Sequence, residues 1–169
     1  MKRIPLSLFT FLFLLSGLCA APTKTVWQIG EKNHSASELA LSPDKYKEFL
    51  ANDFGWEDRF YIIGLSSPQK VFPYVRPGPA DHWGGTSYTA GIRTHVLNIL
   101  FGMKEVPETD SWKLIIDLLD THHELPALFK ITINGKSWKY ALPKGSGKSI
   151  DGDYSQIKPH TIEIPLTPE

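Results

Sequence analysis

Apolar and polar residues alternate through residues 111–143, SWKLIIDLLDTHHELPALFKITINGKSWKYALP. Over 112–120, Trp112, Leu114, Ile116 and Leu118 take even positions, while Lys113 and Asp117 share the odd ones with Ile115 and Leu119. Over 128–133, Phe129, Ile131 and Ile133 alternate with Leu128, Lys130 and Thr132. A period of two sends successive side chains to opposite faces of a strand, one toward a core and one toward water or a second layer. Asn134-Gly135 stands between two such runs, and both residues tolerate the positive φ of a type I′ turn. The stretch therefore predicts a long strand, a polar loop, and a hairpin that runs on to Leu142.

The same reading gives strands at 25–30 (TVWQIG), 59–64 (RFYIIG), 93–102 and 161–166 (TIEIPL). In 93–102, Leu97, Ile99 and Phe101 share a face; in 161–166, Ile162, Ile164 and Leu166 do. Helix is scarce. Residues 35–39 offer a single turn, and Ser42-Pro43-Asp44 starts one or two turns that end by Asn52, with Pro at the first helical position. Residues 66–86 form a long loop rich in Pro and Gly, 104–110 a polar connection, and 143–154 a Gly/Ser/Lys/Asp loop. Short strands separated by turn signals, with no repeat and no linker, predict one all-β sandwich.

Composition narrows the setting. Met1-Lys2-Arg3 followed by the apolar run 6–15 and the small residues Cys19-Ala20-Ala21 has the form of an export signal. The expected domains are therefore a leader at 1–20, cleaved after Ala20, and one β-sandwich at 21–169. The apolar run is short for a membrane span. The destination is secretion or the periplasm. Lipidation at Cys19 is disfavoured by Leu18, which stands where a lipobox wants Gly or Ala. The full chain carries 18 basic and 18 acidic residues. Losing Lys2 and Arg3 leaves a slight excess of acid, which gives nucleic acid no basic face to bind. Cys19 is the single cysteine and leaves with the leader, so the domain must stand on its core without disulfides.

Candidate chemistry gathers in two loops. Tyr74, Arg76, Asp81, His82 and Trp83 lie within 71–83, around a stiff Pro77-Gly78-Pro79 centre. Sugars are held by aromatic planes against their apolar ring faces and by planar polar groups at their hydroxyls, and a stiff loop loses less entropy on binding. The competing structural reading has Pro73, Pro77 and Pro79 fix a crossing between sheets while Trp83 plugs the end of the core. The second loop, Asp120-Thr121-His122-His123-Glu124, sets carboxylates beside imidazoles. Neighbours in an extended chain point apart, so His122 and His123 are not expected to converge, and catalytic zinc is disfavoured. A structural calcium ion on loop carboxylates, a sugar contact from Asp120 and His122, and a plain polar connection are the readings left. No other cofactor is implied. Asp117 and Asp120 face opposite sides of a strand, poor geometry for a glycosidase pair. Residues 144–148 (KGSGK) lack the spacing and the helix of a phosphate loop. Trp138, Tyr140 and Leu142 share a side that reads as core, and Trp27 is expected in the core or against Trp83.

Three stretches together resemble one family: Val26-Trp27-Gln28-Ile29-Gly30; the run 72–83, FPYVRPGPADHW; and Asp120-Thr121-His122 with Ile133-Asn134-Gly135. They are similar to the C-terminal carbohydrate-binding-like domain of rhamnogalacturonan lyases, polysaccharide lyase family four and relatives, from about Val26 to Leu166. The resemblance implies a jelly-roll β-sandwich of galactose-binding-like type that lacks its final strand after 161–166. In those lyases a catalytic β-domain and a small middle domain come first, and the catalytic Lys and His belong to the former. No position here inherits them, so the chain is not expected to be an enzyme by itself. The resemblance implies a pectic polysaccharide ligand, with Arg76 on a uronate carboxylate and Tyr74 or Trp83 stacked on a ring. It also implies a catalytic domain, in cis or in trans, as a partner. In the alternative the domain only packs against that enzyme and binds no sugar.

Overall fold

A computed structural model describes residues 24–55, 59–85, 93–103 and 111–166. The export signal, the connection at 104–110 and the last three residues lie outside the described residues. Six short strands carry the described fold: β1 (Phe60–Ile62), β2 (Asn98–Leu100), β3 (Trp112–Leu118), β4 (Leu128–Ile133), β5 (Lys136–Ala141) and β6 (His160–Leu166). Among the described residues the single α-helical turn is α1 (Pro68–Val71), and 3-10 turns stand at Tyr46–Glu48 and Ser149–Asp151.

The strands pair two by two. β1 and β2 are parallel; β3 with β6 and β4 with β5 are antiparallel. No sheet extends beyond two strands among the described residues. In β3 the even positions are half-buried and the odd ones exposed, as their alternation requires. Its register sets Leu114 opposite Ile164 and Ile116 opposite Ile162, and both β6 isoleucines are buried. On the wet face Thr161 and Lys32 hold Asp117, and Lys113 reaches Glu163. The β4–β5 hairpin turns at Asn134 and Gly135 with φ of 47° and 84°, the left-handed pair that a type I′ turn needs. Ile131 faces Trp138 and Phe129 faces Tyr140 across it, all half-buried.

Three expected elements differ. Residues 25–30 form no strand. Trp27 and Ile29 turn inward as the alternation suggests, but no ladder partner meets them among the described residues, and the chain bends at Gly30. Residues 93–102 contribute only Asn98–Leu100, because the partner strand β1 is equally short. The helical turn after Pro43 is one 3-10 turn that starts at Tyr46, so Pro43 is not its first residue. The proline that does open a helix is Pro68, inside the stretch read as loop.

The core lies at the loop end of the molecule. Phe49 is fully buried and packs with Ala40 and Phe54, while Leu41, Leu50 and Trp83 close in around them. The 3-10 turn Tyr46–Glu48 delivers Phe49 to this centre. Ala40 bridges to Pro73, and Tyr74 N–H donates to the Ala40 carbonyl, which ties the 72–83 loop to the core.

Candidate functional site

The proline-rich loop is built from the inside outward. Pro73, Pro77 and Gly78 are buried, whereas Pro79 and His82 are exposed. Asp81 closes the tip: its Oδ2 accepts from Gly78 N–H at 2.6 Å, and its own N–H donates to the Gly78 carbonyl. Trp83 meets Phe49 and Tyr46 edge-on, each at 5.4 Å between ring centres. It plugs the end of the core, as the structural reading holds, and stays only partly exposed. Trp27 does not reach it; that ring packs on Phe101 at 5.1 Å. Tyr74 turns its hydroxyl inward to the Ile150 carbonyl at 2.5 Å. Burial pushes the Tyr74 phenol well above its ordinary range, helped by Tyr154, Asp151, Asp44 and Tyr46.

Arg76 also points inward. Its guanidinium lies over the Phe49 ring at 5.8 Å, and Nη1 is buried. Burial, then the charge of Arg59, lowers its pKa to about 10. His95 faces Phe49 edge-on at 5.6 Å. Burial, then Arg76 and Arg93, lower the His95 pKa to about 4, so the ring is neutral near pH 7. Arg59 and His95 escaped the sequence reading. Their signal was present at His95, which shares odd parity with Leu97, Ile99 and Phe101 and so belongs to their face.

The loop at 120–125 is held by its own polar atoms. Asp120 accepts from Ser146 N–H at 2.8 Å, from Ser146 Oγ, and from the N–H groups of Lys148 and Lys158. Burial favours the neutral acid, but these bonds outweigh it and hold the carboxyl below the usual range. The KGSGK stretch is thus the cradle of a carboxylate belonging to the chain itself. Gly145 is buried against it, and a Cβ there would stand 2.2 Å from the Thr121 carbonyl oxygen. The Asp120 oxygens are already engaged by N–H and O–H donors of the chain. Among the described residues no three His, Cys, Asp or Glu side chains are grouped to hold a metal. His122 and His123 do converge: their rings stack at 4.6 Å, only 20° from parallel. The extended-chain argument fails here because the backbone turns, with Glu124 and Leu125 N–H both donating to His122 Nδ1.

The loops meet at one rim. Gly78 lies against the Leu125 carbonyl, Gly145 against Thr121, Tyr74 against Ile150, and Gly152 against Pro43. Tyr74, Arg76, Asp81, His82 and Trp83 therefore share an end of the molecule with Asp120 and His122. Tyr74, Asp81 and Asp120 hold that end together, while Trp83, His82 and His122 face outward from it in part.

Short strands with very little helix, and loops gathered at one end, fit a carbohydrate-binding-like β-sandwich. Residues 25–163 match the family described as CBM-like, polysaccharide lyase family 4, domain III, and the chain belongs to it. No curated protein and no solved structure matches the chain. The fold is accordingly the CBM-like all-β sandwich of that family.

Proposed function

We propose that this chain is an exported, non-catalytic module that binds pectic polysaccharide of the rhamnogalacturonan type beside a lyase-like enzyme. The observation that carries the reading is the gathering of residues 72–83, 120–125 and 143–154 into one rim, with Trp83 partly exposed beside Tyr46. An aromatic plate supplies a stacking surface for a sugar ring, and the hydrogen-bonded loops behind it keep the plate in place before any ligand arrives. Affinity electrophoresis in rhamnogalacturonan tests this directly. Retardation of the parent and its loss in Trp83→Ala support binding. Migration unaffected by the polysaccharide removes the proposal. Incubation with the same polymer should release no unsaturated product.

A second reading is favoured by one feature. Ile99, Leu100, Phe101, Met103 and Asn134 line an open apolar groove of about 360 Å³, with Leu100, Phe101 and Met103 exposed. A domain whose work is to pack on a catalytic partner would carry such a surface. Leu100→Glu should then abolish co-purification with that partner, and the parent should show no retardation in rhamnogalacturonan.

A further inference from the structure

The β4–β5 hairpin turns one face inward and leaves the other open. Phe129, Ile131, Trp138 and Tyr140 are half-buried, while Leu128, Lys130 and Thr132 of β4 and Ser137, Lys139 and Ala141 of β5 are exposed. The register arranges the exposed six in three rungs. Leu128 stands opposite Ala141, Lys130 opposite Lys139, and Thr132 opposite Ser137, whose hydroxyls bond at 2.8 Å. The first rung adjoins the rim, where Leu142 N–H donates to the Ala127 carbonyl and the Leu125 carbonyl lies against Gly78.

Like charges set directly opposite, about 5 Å apart at Cβ, destabilise a strand pair. Lys130 and Lys139 nonetheless face each other, and neither forms an ion pair among the described residues. The β3–β6 pair does the reverse: on its wet face Lys113 meets Glu163 and Lys32 meets Asp117. The sequence sharpens the contrast. Residues 126–150 carry Lys130, Lys136, Lys139, Lys144 and Lys148 and no Asp or Glu, although the whole chain balances 18 basic against 18 acidic residues.

The make-up of the face selects its partner. Ammonium groups without a counter-charge attract an anion, and as point charges on flexible stems they adapt to carboxylates at varied positions. The paired hydroxyls both donate and accept, as sugar hydroxyls require. Leu128, 67% exposed, offers an apolar contact to a ring face. A single-stranded nucleic acid would want aromatic rings among the cations, and the rings of this hairpin point the other way. A protein partner would want aromatic or arginine anchors, and the face has neither.

We propose that the outer face of β4–β5, centred on Lys130 and Lys139, binds the carboxylates of a linear acidic polysaccharide. The inference rests on the carbohydrate-binding reading and adds to the rim a charged surface along which the same polymer continues.

Calorimetric titration of the full chain with rhamnogalacturonan and with its carboxyl-reduced form, at low and high salt, tests it. The acid polymer should bind about tenfold more tightly, and salt should close most of that gap. Lys130→Gln with Lys139→Gln should weaken acid binding about tenfold, without lowering the melting temperature, because it relieves a like-charge pair. Lys130→Arg with Lys139→Arg should retain the affinity. Lys32→Gln with Lys113→Gln removes the same charge from the β3–β6 face and should leave acid binding as in the parent. An equal loss in that control shows an effect of net charge alone and overturns the face. Equal affinity for acid and reduced polymer, or full affinity without Lys130 and Lys139, overturns the proposal and leaves the carbohydrate-binding reading standing. Failure of both polymers overturns both. A thymidine oligonucleotide that binds as tightly as the acid polymer, and is lost with the same two lysines, overturns polysaccharide specificity.

Discussion

The Tyr74 hydroxyl donates to the Ile150 carbonyl at 2.5 Å and so joins two rim loops 76 residues apart in sequence. Tyr74 was a stacking candidate in the sequence, yet its hydroxyl is spent inside the protein. Tyr74→Phe should therefore cost about 1 kcal/mol of stability, the net worth of one such bond. Its pKa is raised by burial, so the neutral phenol is the form the fold favours. That contribution is complete below the unfolded value of about 10 and is lost as pH climbs above it. Urea melts of the parent at pH 8 and 11 should show a fall that is smaller in Tyr74→Phe. Identical pH dependence in the two proteins would count against the bond.

Asp120 gives the opposite pH signature. Burial raises its pKa, but the donors from Ser146, Thr121 and Lys158 lower it further, to a net depression. Its contribution is present above the ordinary carboxylate value and disappears as pH falls through the lowered one. Asp120→Asn keeps the shape and turns an acceptor into a donor facing N–H groups. The expected loss is about 2–3 kcal/mol at pH 7, narrowing toward pH 3, read by chemical denaturation across that range. A constant difference between the two proteins from pH 7 to 3 would show that the charge is immaterial.

Gly84 sits where no side chain fits. A Cβ there would stand 2.2 and 2.4 Å from the Pro77 ring and 3.1 Å from His95 Nε2. The ring of a buried proline has little room to yield. Gly84→Ala should cost about 1–3 kcal/mol as overpacking. Gly102→Ala is the matched control, since nothing lies within 4 Å of its Cβ. Equal melting temperatures for the two variants would refute the close approach.

The β3–β6 pair supplies a test of the buried face. Ile164 is fully buried, whereas Ile115 is 44% exposed on the other side of the pair. Ile164→Ala should cost about 2–5 kcal/mol by transfer and cavity formation. Ile115→Ala should stay within about 1 kcal/mol, as surface changes do. Comparable losses at both positions would mean that the outer face is covered in solution.

What the sequence displayed well was whatever depended on short range. The alternation over 112–118 and 128–133, the Asn134-Gly135 turn, and the buried Ile162 and Ile164 are local consequences of side-chain period and turn chemistry. Partnership was less visible. Residues 25–30 have the inward Trp27 and Ile29 of a strand, but a strand exists only where another chain segment supplies its ladder. The same limit cut 93–102 down to three paired residues. The two loops singled out in the sequence, 71–83 and 120–124, come together at one rim. Their roles depended on contacts across the fold: Asp120 with Ser146, Tyr74 with Ile150, Arg76 with Phe49. The parity of 93–102 marked His95, but Arg59 joined the cluster through the β1–β2 pairing, which no local pattern announces.

The register of β3 with β6 also sets an order of assembly. Leu118 pairs with His160 and Trp112 with Leu166, and the whole β4–β5 hairpin lies within the loop they close. A two-residue turn brings β4 and β5 together in about 1–10 μs, long before a loop of that span gains from closing. Once zipped, the hairpin shortens the slack between β3 and β6, so their meeting costs less chain entropy. The Asn134-Gly135 turn then governs how fast the buried isoleucines of β6 find β3, although it touches neither. We expect Gly135→Ala to slow refolding more than it speeds unfolding, a φ-value well above one half in stopped-flow kinetics. A φ-value near zero would place the hairpin after the β3–β6 ladder.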